Sequence, residues 1–256
     1  MHVRELFDLT GKTAIVSGGG SGIGRQMAEA LAELGANLVL CARKVERCEA
    51  AAAELSQLGV KAIGLRCDVR DPEQVQAVVD RTVEEFGKVD ILLNNAGATW
   101  GAPAEEVPLE GWQKVVDVNL NGTFYFSQAV GRHMIERGEG GVIVSTASVA
   151  GLRAGMEGIG TSGYQATKAA IVHLTRSLAG EWAKHGIRVN AIAPGWFPSD
   201  MSKWVLENMG ERRRATIPLH RFGGADELKG VIAYLASDAS SYVTGQTIAV
   251  DGGQTI

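Results

Sequence analysis

Apolar residues fall along this chain in short continuous runs, separated by longer stretches of helical periodicity. Ala-Ile-Val at 14–16, Leu-Val-Leu at 38–40 and Ile-Leu-Leu at 91–93 show no polar alternation, the pattern of strands buried on both faces. Strands are predicted on this basis at residues 13–17, 37–41, 62–66, 91–93, 142–146, 188–193 and 247–250. Helical spacing lies between them, for example over 22–34 and 44–58, and Asp71-Pro72 reads as an N-cap followed by proline at the first helical position. Strand–helix alternation with no repeat, low-complexity tract or linker predicts right-handed crossovers and a parallel sheet covered by helices on both faces. The expected fold class is α/β, a single doubly wound parallel sheet of the Rossmann type, in one domain spanning 1–256.

Two helical stretches carry more apolar positions than one narrow stripe needs. Residues 112–135 include Val115, Val116, Val118, Leu120, Phe124, Phe126, Val130 and Met134, and residues 163–183 include Ile171, Val172, Leu174, Leu178 and Trp182. A helix apolar on two sides is buried on two sides. One side covers the sheet; the simplest partner for the other is the same helix of a second subunit, so a homo-oligomer is expected.

Composition narrows the class without deciding it. The 256 residues are 45% hydrophobic and 21% charged, with a net charge of −4, and no electrostatic footprint for nucleic acid is present. The one basic cluster, Arg212-Arg213-Arg214, reads as a solvated helix face or loop before it reads as an anion site. Cys41, Cys48 and Cys67 match no zinc or disulfide spacing and suit a reducing compartment. His2, His133, His173, His185 and His220 form no metal-like cluster, so no metal is expected. No apolar run approaches the roughly 18 residues of a membrane span, and the first residues lack a signal-peptide core; a cytoplasmic protein is expected.

The candidate chemistry begins at Ser17-Gly18-Gly19-Gly20-Ser21-Gly22-Ile23-Gly24, which follows the first strand and opens a helix. Glycines let the backbone come close to a ligand, and the helix start presents free N–H groups and a positive dipole end. A pyrophosphate fits that arrangement, and the G-x-x-x-G-x-G spacing is a variant of the dinucleotide fingerprint, making Gly18, Ser21, Gly22, Ile23 and Gly24 candidate coenzyme contacts. Gly11-Lys12-Thr13 resembles the tail of an ATP loop, but Leu6 stands where that motif needs glycine. Arg43 stands at the end of the second strand, where an acidic residue would select NAD. A guanidinium there can fork onto a 2′-phosphate and stack on adenine, so NADP(H) is the expected coenzyme, with NAD(H) the alternative in which Arg43 is a solvated helix-start residue.

Tyr164 and Lys168 stand four residues apart, one above the other on a helix. A free tyrosine titrates at about 10 and exchanges protons poorly at neutral pH; an adjacent cation favours its phenolate. The pair is a candidate acid/base device for an alcohol oxygen.

These pieces together resemble the short-chain dehydrogenase/reductase family, in its subgroup of about 250 residues. The resemblance rests on SGGGSGIG at 17–24, CDV at 67–69, NNAG at 94–97, VNLNG at 118–122, STASVAG at 145–151, YQATK at 164–168 and RVNAIAPG at 188–195. It implies that Asn119, Ser148, Tyr164 and Lys168 form a catalytic tetrad. Ser148 would donate to the carbonyl oxygen and Tyr164 would deliver the proton; Lys168 would bind the ribose and depress the tyrosine, and Asn119 would hold a water. It also implies that Asp68 and Val69 cradle the adenine, and that Asn95, Ala96 and Gly97 line the coenzyme cleft. Pro194, Gly195 and Phe197 would lie by the nicotinamide, with Ser199 reaching its carboxamide or the phosphates. The family usually carries Thr at 17 and 199 where this chain has Ser.

The expected reaction is therefore interconversion of a secondary alcohol and a ketone, on a small-molecule carbonyl or alcohol substrate. The segment at about 196–222 would cover that substrate, with Trp100, Arg153, Met156, Trp196 and Trp204 as candidate contacts. ELFDLTGKTAIV, NNAGATWGAP and APGWFPSDMS resemble enzymes grouped with gluconate 5-dehydrogenases, which points to a small polyol or sugar-acid ketone. They also resemble 3-oxoacyl-thioester reductases. Arg132 matches a basic docking position of carrier-protein reductases, but Gly180 leaves a second such position uncharged, which favours a small free substrate. A non-catalytic NADP-binding regulator would typically lack the Tyr or Lys, and no serine has the flanking glycines of a hydrolase elbow. The family resemblance implies a homotetramer.

Overall fold

The computed structural model describes residues 2–154 and 160–256. Seven parallel strands form one sheet: β1 (Thr13–Ser17), β2 (Asn37–Ala42), β3 (Ala62–Arg66), β4 (Ile91–Asn94), β5 (Gly141–Thr146), β6 (Ile187–Pro194) and β7 (Thr247–Val250), in the order β3-β2-β1-β4-β5-β6-β7. The strand order reverses beside β1, whose neighbours are β2 and β4. In an open parallel sheet that point leaves a crevice outside the carboxyl ends of the strands.

Side chains alternate between two cores, as the strand period requires. Ala14, Val16, Leu38, Leu40, Ile91 and Leu93 face α1 (Gly22–Glu33), α2 (Val45–Ser56) and, further along the chain, α8 (Lys229–Ala236). Ile15, Val39, Leu92 and Ile143 face α3 (Pro72–Phe86), α5 (Gly122–Arg137) and α6 (Ser162–Trp182). The α3 start is as its sequence predicts: Asp71 caps it, accepting from the Glu73 and Gln74 amides, with Pro72 first in the helix. Among the described residues no helix is long and apolar enough to cross a membrane.

The stretch expected as one helix over 112–135 is divided. The chain runs through α4 (Leu109–Val116), a π-helical turn at Asp117–Asn121, and α5. The wider turn sets Asn119 fully inside. The second apolar sides are partly used within the chain, since Trp112 packs over Gly163 and Trp182 over Gly131. Leu109 nevertheless stays 86% exposed, and Trp112 and Phe124 are exposed in part. The arginine cluster, expected to be solvated, closes α7 (Lys203–Ala215), where cations suit the negative end of the helix dipole. Arg213 departs from that expectation, for it is buried against the Trp196 ring.

The opposite end of the sheet is tied by Asp90. Its carboxylate accepts from the Thr13 amide at 2.9 Å and faces Arg137 Nη1 at 3.2 Å and Lys88 Nζ at 3.4 Å. This one buried group joins the starts of β1 and β4 to the end of α5. Asp90→Ala removes the carboxylate shared by Thr13, Lys88 and Arg137, leaves the buried Thr13 amide without its acceptor and Arg137 to Glu139, and is expected to cost about 2 kcal/mol, lowering Tm by roughly 4–8 °C. Thermal denaturation checks this; an unchanged Tm would mean that water replaces the carboxylate at no cost.

Candidate active site

The glycine loop lies at the carboxyl end of β1 and is braced from β4. Ser17 Oγ accepts from the Asn95 and Ala96 amides at 3.0 and 3.2 Å, while Asn95 Nδ2 donates to the Ser17 and Gly18 carbonyls, each at 3.2 Å. Serine at 17 therefore supplies the hydroxyl this junction needs. Gly18 has φ +68°, and a methyl group added at Gly24 would stand 2.2 Å from the Gly18 carbonyl oxygen. Only glycine allows a turn this tight. Ser21 precedes α1 in an extended conformation and its side chain caps nothing, so the first-turn N–H groups stay open to an anion. These features fit the pyrophosphate of a dinucleotide.

The adenosine end differs in detail from its expected form. Asp68 was expected to accept from adenine, but Arg70 holds its carboxylate with Nε and Nη2, at 3.0 and 2.6 Å. That bond keeps the Asp68 carboxyl below its ordinary range. Only the outward lone pairs of Asp68 remain for a ligand. Val69 is buried against Gly122 at the start of α5. Arg43 is exposed at the end of β2, free to reach a phosphate from solvent.

At the carboxyl ends of β4, β5 and β6 lies a cavity of about 910 Å³, within the range of small-molecule sites. Ser148, Tyr164, Pro194, Gly195, Phe197 and Ser199 line it, as does Ile23 from the glycine loop. Ser148 Oγ accepts from the Ala150 amide at 3.1 Å, which leaves its proton to donate. That hydroxyl pulls the pKa of the Tyr164 phenol downward. The loop bearing Ser148 can touch α6 because residue 151 is glycine; a methyl group there would meet the Lys168 carbonyl carbon at 2.5 Å. That glycine is a site requirement that spacing alone did not single out.

Lys168 is buried, with its Nζ donating to the Thr146 carbonyl at 2.6 Å and lying 5.6 Å from the Tyr164 ring centre. Burial pulls its pKa down to about 8. The expected depression of Tyr164 by Lys168 is not what this geometry gives: burial pushes the phenol above its ordinary value and the Ser148 hydroxyl pulls it back in part. The ammonium is spent on a backbone carbonyl and sits over the ring. Asn119 is held by three side-chain hydrogen bonds. Its Oδ1 accepts from the Ala98 amide at 2.7 Å, and its Nδ2 donates to the Ala98 carbonyl and to Thr167 Oγ1, each at 3.0 Å. Its side chain locks the loop after β4 to α6, with both amide protons spent and one Oδ1 lone pair left over.

The substrate contacts are partly redrawn. Trp196 and Trp204 line the cavity, joined by Met201 and Val205. Trp100 does not: its ring packs on Gly111 of α4, with the Lys114 ammonium 5.5 Å from its centre. Arg153 is exposed and lies outside the lining, and Met156 falls outside the described residues. Among the described residues no charged side chain lines the cavity, and no three His, Cys, Asp or Glu side chains are placed to hold a metal ion.

The family model described as enoyl-(acyl carrier protein) reductase matches residues 18–255. A sorbose reductase of Candida albicans is 38% identical over 257 residues, covering 99% of this chain and 90% of the relative. A short-chain type dehydrogenase/reductase from Mycobacterium marinum has a TM-score of 0.96 at 40% identity, covering 99% of each chain. A gluconate 5-dehydrogenase from Burkholderia cenocepacia, solved with NADP and tartrate, has a TM-score of 0.93 at 37% identity, covering 99% of each chain. Matches that run end to end, in sequence and in structure, mean that this chain belongs to the short-chain dehydrogenase/reductase family of NAD(P)-dependent oxidoreductases.

Proposed function

We propose that the protein interconverts a secondary alcohol and a ketone with NADP(H), on an uncharged polyol or ketose. The observation that carries the reaction is that Ser148 and Tyr164 both line the cavity wall, with the buried Lys168 behind them. A nicotinamide coenzyme, when bound, gives or takes the hydride. Gly18, Ser21, Gly22 and Gly24 would hold its pyrophosphate and Arg43 its 2′-phosphate; Pro194, Gly195 and Ser199 would border its ring.

The chain supplies proton chemistry and position. Tyr164, raised by burial, is a neutral phenol at pH 7 and so carries the proton that a carbonyl oxygen needs on reduction. Ser148, whose oxygen accepts from the Ala150 amide, donates its proton to the carbonyl oxygen and fixes where that oxygen sits. Lys168, at about 8, releases and regains a proton near neutral pH and can restore one to the phenol side of the site. Asn119 and Thr167 act as positioning residues, holding α6 against the loop after β4. The segment at about 196–222 covers the substrate through Trp196, Phe197, Met201, Trp204 and Val205. The exposed Leu109, Trp112 and Phe124 support a homo-oligomer, a tetramer by family resemblance, and the unpaired buried thiols of Cys41, Cys48 and Cys67 support a cytoplasmic setting.

The uncharged lining separates substrates. An aldonate would leave its carboxylate without a cation inside the cavity, and an unpaired charge is costly to desolvate. Sorbose, which names the Candida albicans relative, is a neutral ketose. The apolar wall at Trp196, Phe197 and Trp204 supports a second reading, a 3-oxoacyl thioester. Assayed by NADPH absorbance against ketoses, polyols, keto-aldonates and acetoacetyl thioesters, the protein is expected to prefer an uncharged sugar or polyol by at least about tenfold in kcat/KM over its aldonate counterpart. Preference for the aldonate would refute the neutral reading, and preference for the thioester would install the second.

Tyr164→Phe is expected to lower kcat by about 10²–10⁴ with NADPH affinity largely retained. Turnover near that of the wild type would refute Tyr164 as proton donor. Lys168 gives a pH signature in the coenzyme-free protein. Its folded pKa, about 8, lies below its ordinary 10.5, so between these values the unfolded chain binds the extra proton and stability from this group rises with pH. Relative to Lys168→Met, the wild type should therefore gain in Tm between pH 8 and 10. A Tm difference that is flat across that window would show that the ammonium is not desolvated.

A further inference from the structure

Arg47 Nη1 and Asp200 Oδ2 form an ion pair at 2.7 Å between segments 153 residues apart in sequence. Arg47 lies in the first turn of α2, and Asp200 lies between Ser199 and the start of α7. The glycine loop runs beneath both. A methyl group added at Gly20 would meet Arg47 Cβ at 3.1 Å, and one added at Gly22 would meet Ser199 Cβ at 3.4 Å. The pair therefore spans the groove in which the proposed coenzyme would lie, joining the wall at its adenosine end to the segment that covers the substrate.

This pair is poorly suited to holding the fold together. Its side chains are 50% and 79% exposed, and exposed ion pairs add little stability. Its surroundings are suited to something else. Asp200 is bonded to Arg47 and lies in the field of Lys44 and Lys203 as well, all of which pull its carboxyl down. Arg43 is exposed next to Lys44. Arg43, Lys44 and Arg47 thus gather three cations at the end of β2 and the start of α2, and in the coenzyme-free protein the Asp200 carboxylate reaches Arg47 and Lys44 from the opposite wall. A phosphate dianion offers three strong acceptor oxygens and is the better partner for a guanidinium.

Resting on the NADP(H) reading above, we propose that Asp200 is a built-in competitor for the 2′-phosphate. Its carboxylate holds Arg47 in the free protein, and Arg47 exchanges it for the phosphate when NADP(H) binds. The exchange releases the covering segment at its hinge beside Ser199. Asp200 is then a specificity-determining residue that sets how strongly NADP(H) is preferred, and Arg47 is a phosphate contact that sequence reading placed only in a helix.

The test is direct binding, read by the fluorescence of NADPH and NADH, on the wild type, Asp200→Asn, Arg47→Gln and the double variant. Asp200→Asn is expected to tighten NADPH by about three- to tenfold, the size of one like charge removed from beside a surface anion site, and to leave NADH unchanged. Arg47→Gln is expected to weaken NADPH and to abolish the gain from Asp200→Asn, since the two residues act through one contact. Hydrogen exchange on the coenzyme-free protein gives a second readout: residues 199–206 should exchange faster in both single variants. If Asp200→Asn weakens NADPH and NADH alike, the residue is a strap over the shared part of the coenzyme and the proposal is overturned. Unchanged NADPH affinity in either single variant overturns it too. A wild type that binds NADH but not NADPH overturns the coenzyme reading itself, and the proposal with it.

Discussion

The site depends on one ammonium kept out of water. Lys168 sits between β5 and α6 with its Nζ on the Thr146 carbonyl, the last residue of that strand. Burying a cation with a neutral partner is unfavourable, and the fall of its pKa to about 8 expresses that cost. Three close approaches hold the arrangement. Gly151 lets the Ser148 loop lie on the α6 backbone; Asn119 ties the loop after β4 to Thr167, one residue from Lys168; and the Ser148 hydroxyl meets Tyr164 one turn away. Relieving the cation by exposure would require separating α6 from the sheet edge, and that would take Tyr164 with it.

The rest of the crevice follows from sheet order. Because β1 lies between β2 and β4, the turn leaving β1 is free to open toward the carboxyl edge while the turn leaving β4 braces it. Ser17 and Asn95 make that brace with one hydroxyl and one amide, and the amide's donors go to the carbonyls that a tight glycine turn leaves exposed. Asn95 thus shapes the loop from behind. On the far side, Ser199 and Ser202 exchange amide-to-hydroxyl bonds at 3.0 and 3.2 Å and start the covering helix directly above the loop.

The strands were legible because burial on both faces leaves nothing but apolar residues, and each predicted strand lies within one residue of its observed ends. The α3 cap was legible because Asp-Pro has few other uses. What the sequence hid has a common physical form. The π turn needs one extra residue whose cost is met by contacts far away in sequence, at Ala98 and Thr167. Trp100 was assigned to the cavity because it follows the NNAG turn, yet Gly111 offers its ring a flat backbone surface and Lys114 a cation. Asp68 carries the right residue for adenine, but Arg70 competes two positions on. Local spacing reports which groups are present; competition for those groups is settled in three dimensions.

That same competition bears on substrate choice. Arg153, the one cation among the expected substrate contacts, stands outside the cavity lining. Arg213 comes nearer and turns its guanidinium to the Trp196 ring, 6.0 Å from its centre, where it supports the aromatic wall from behind. The face left to the substrate consists of aromatic and aliphatic surface with hydroxyls at Ser148, Thr161 and Tyr164. Hydroxyls select by hydrogen bonding and apolar faces by area. The charge in this protein's crevice is concentrated instead at its other end, around Arg43, Lys44 and Arg47, where a phosphate is expected. The two ends of the groove are thus set apart by electrostatics before either ligand arrives.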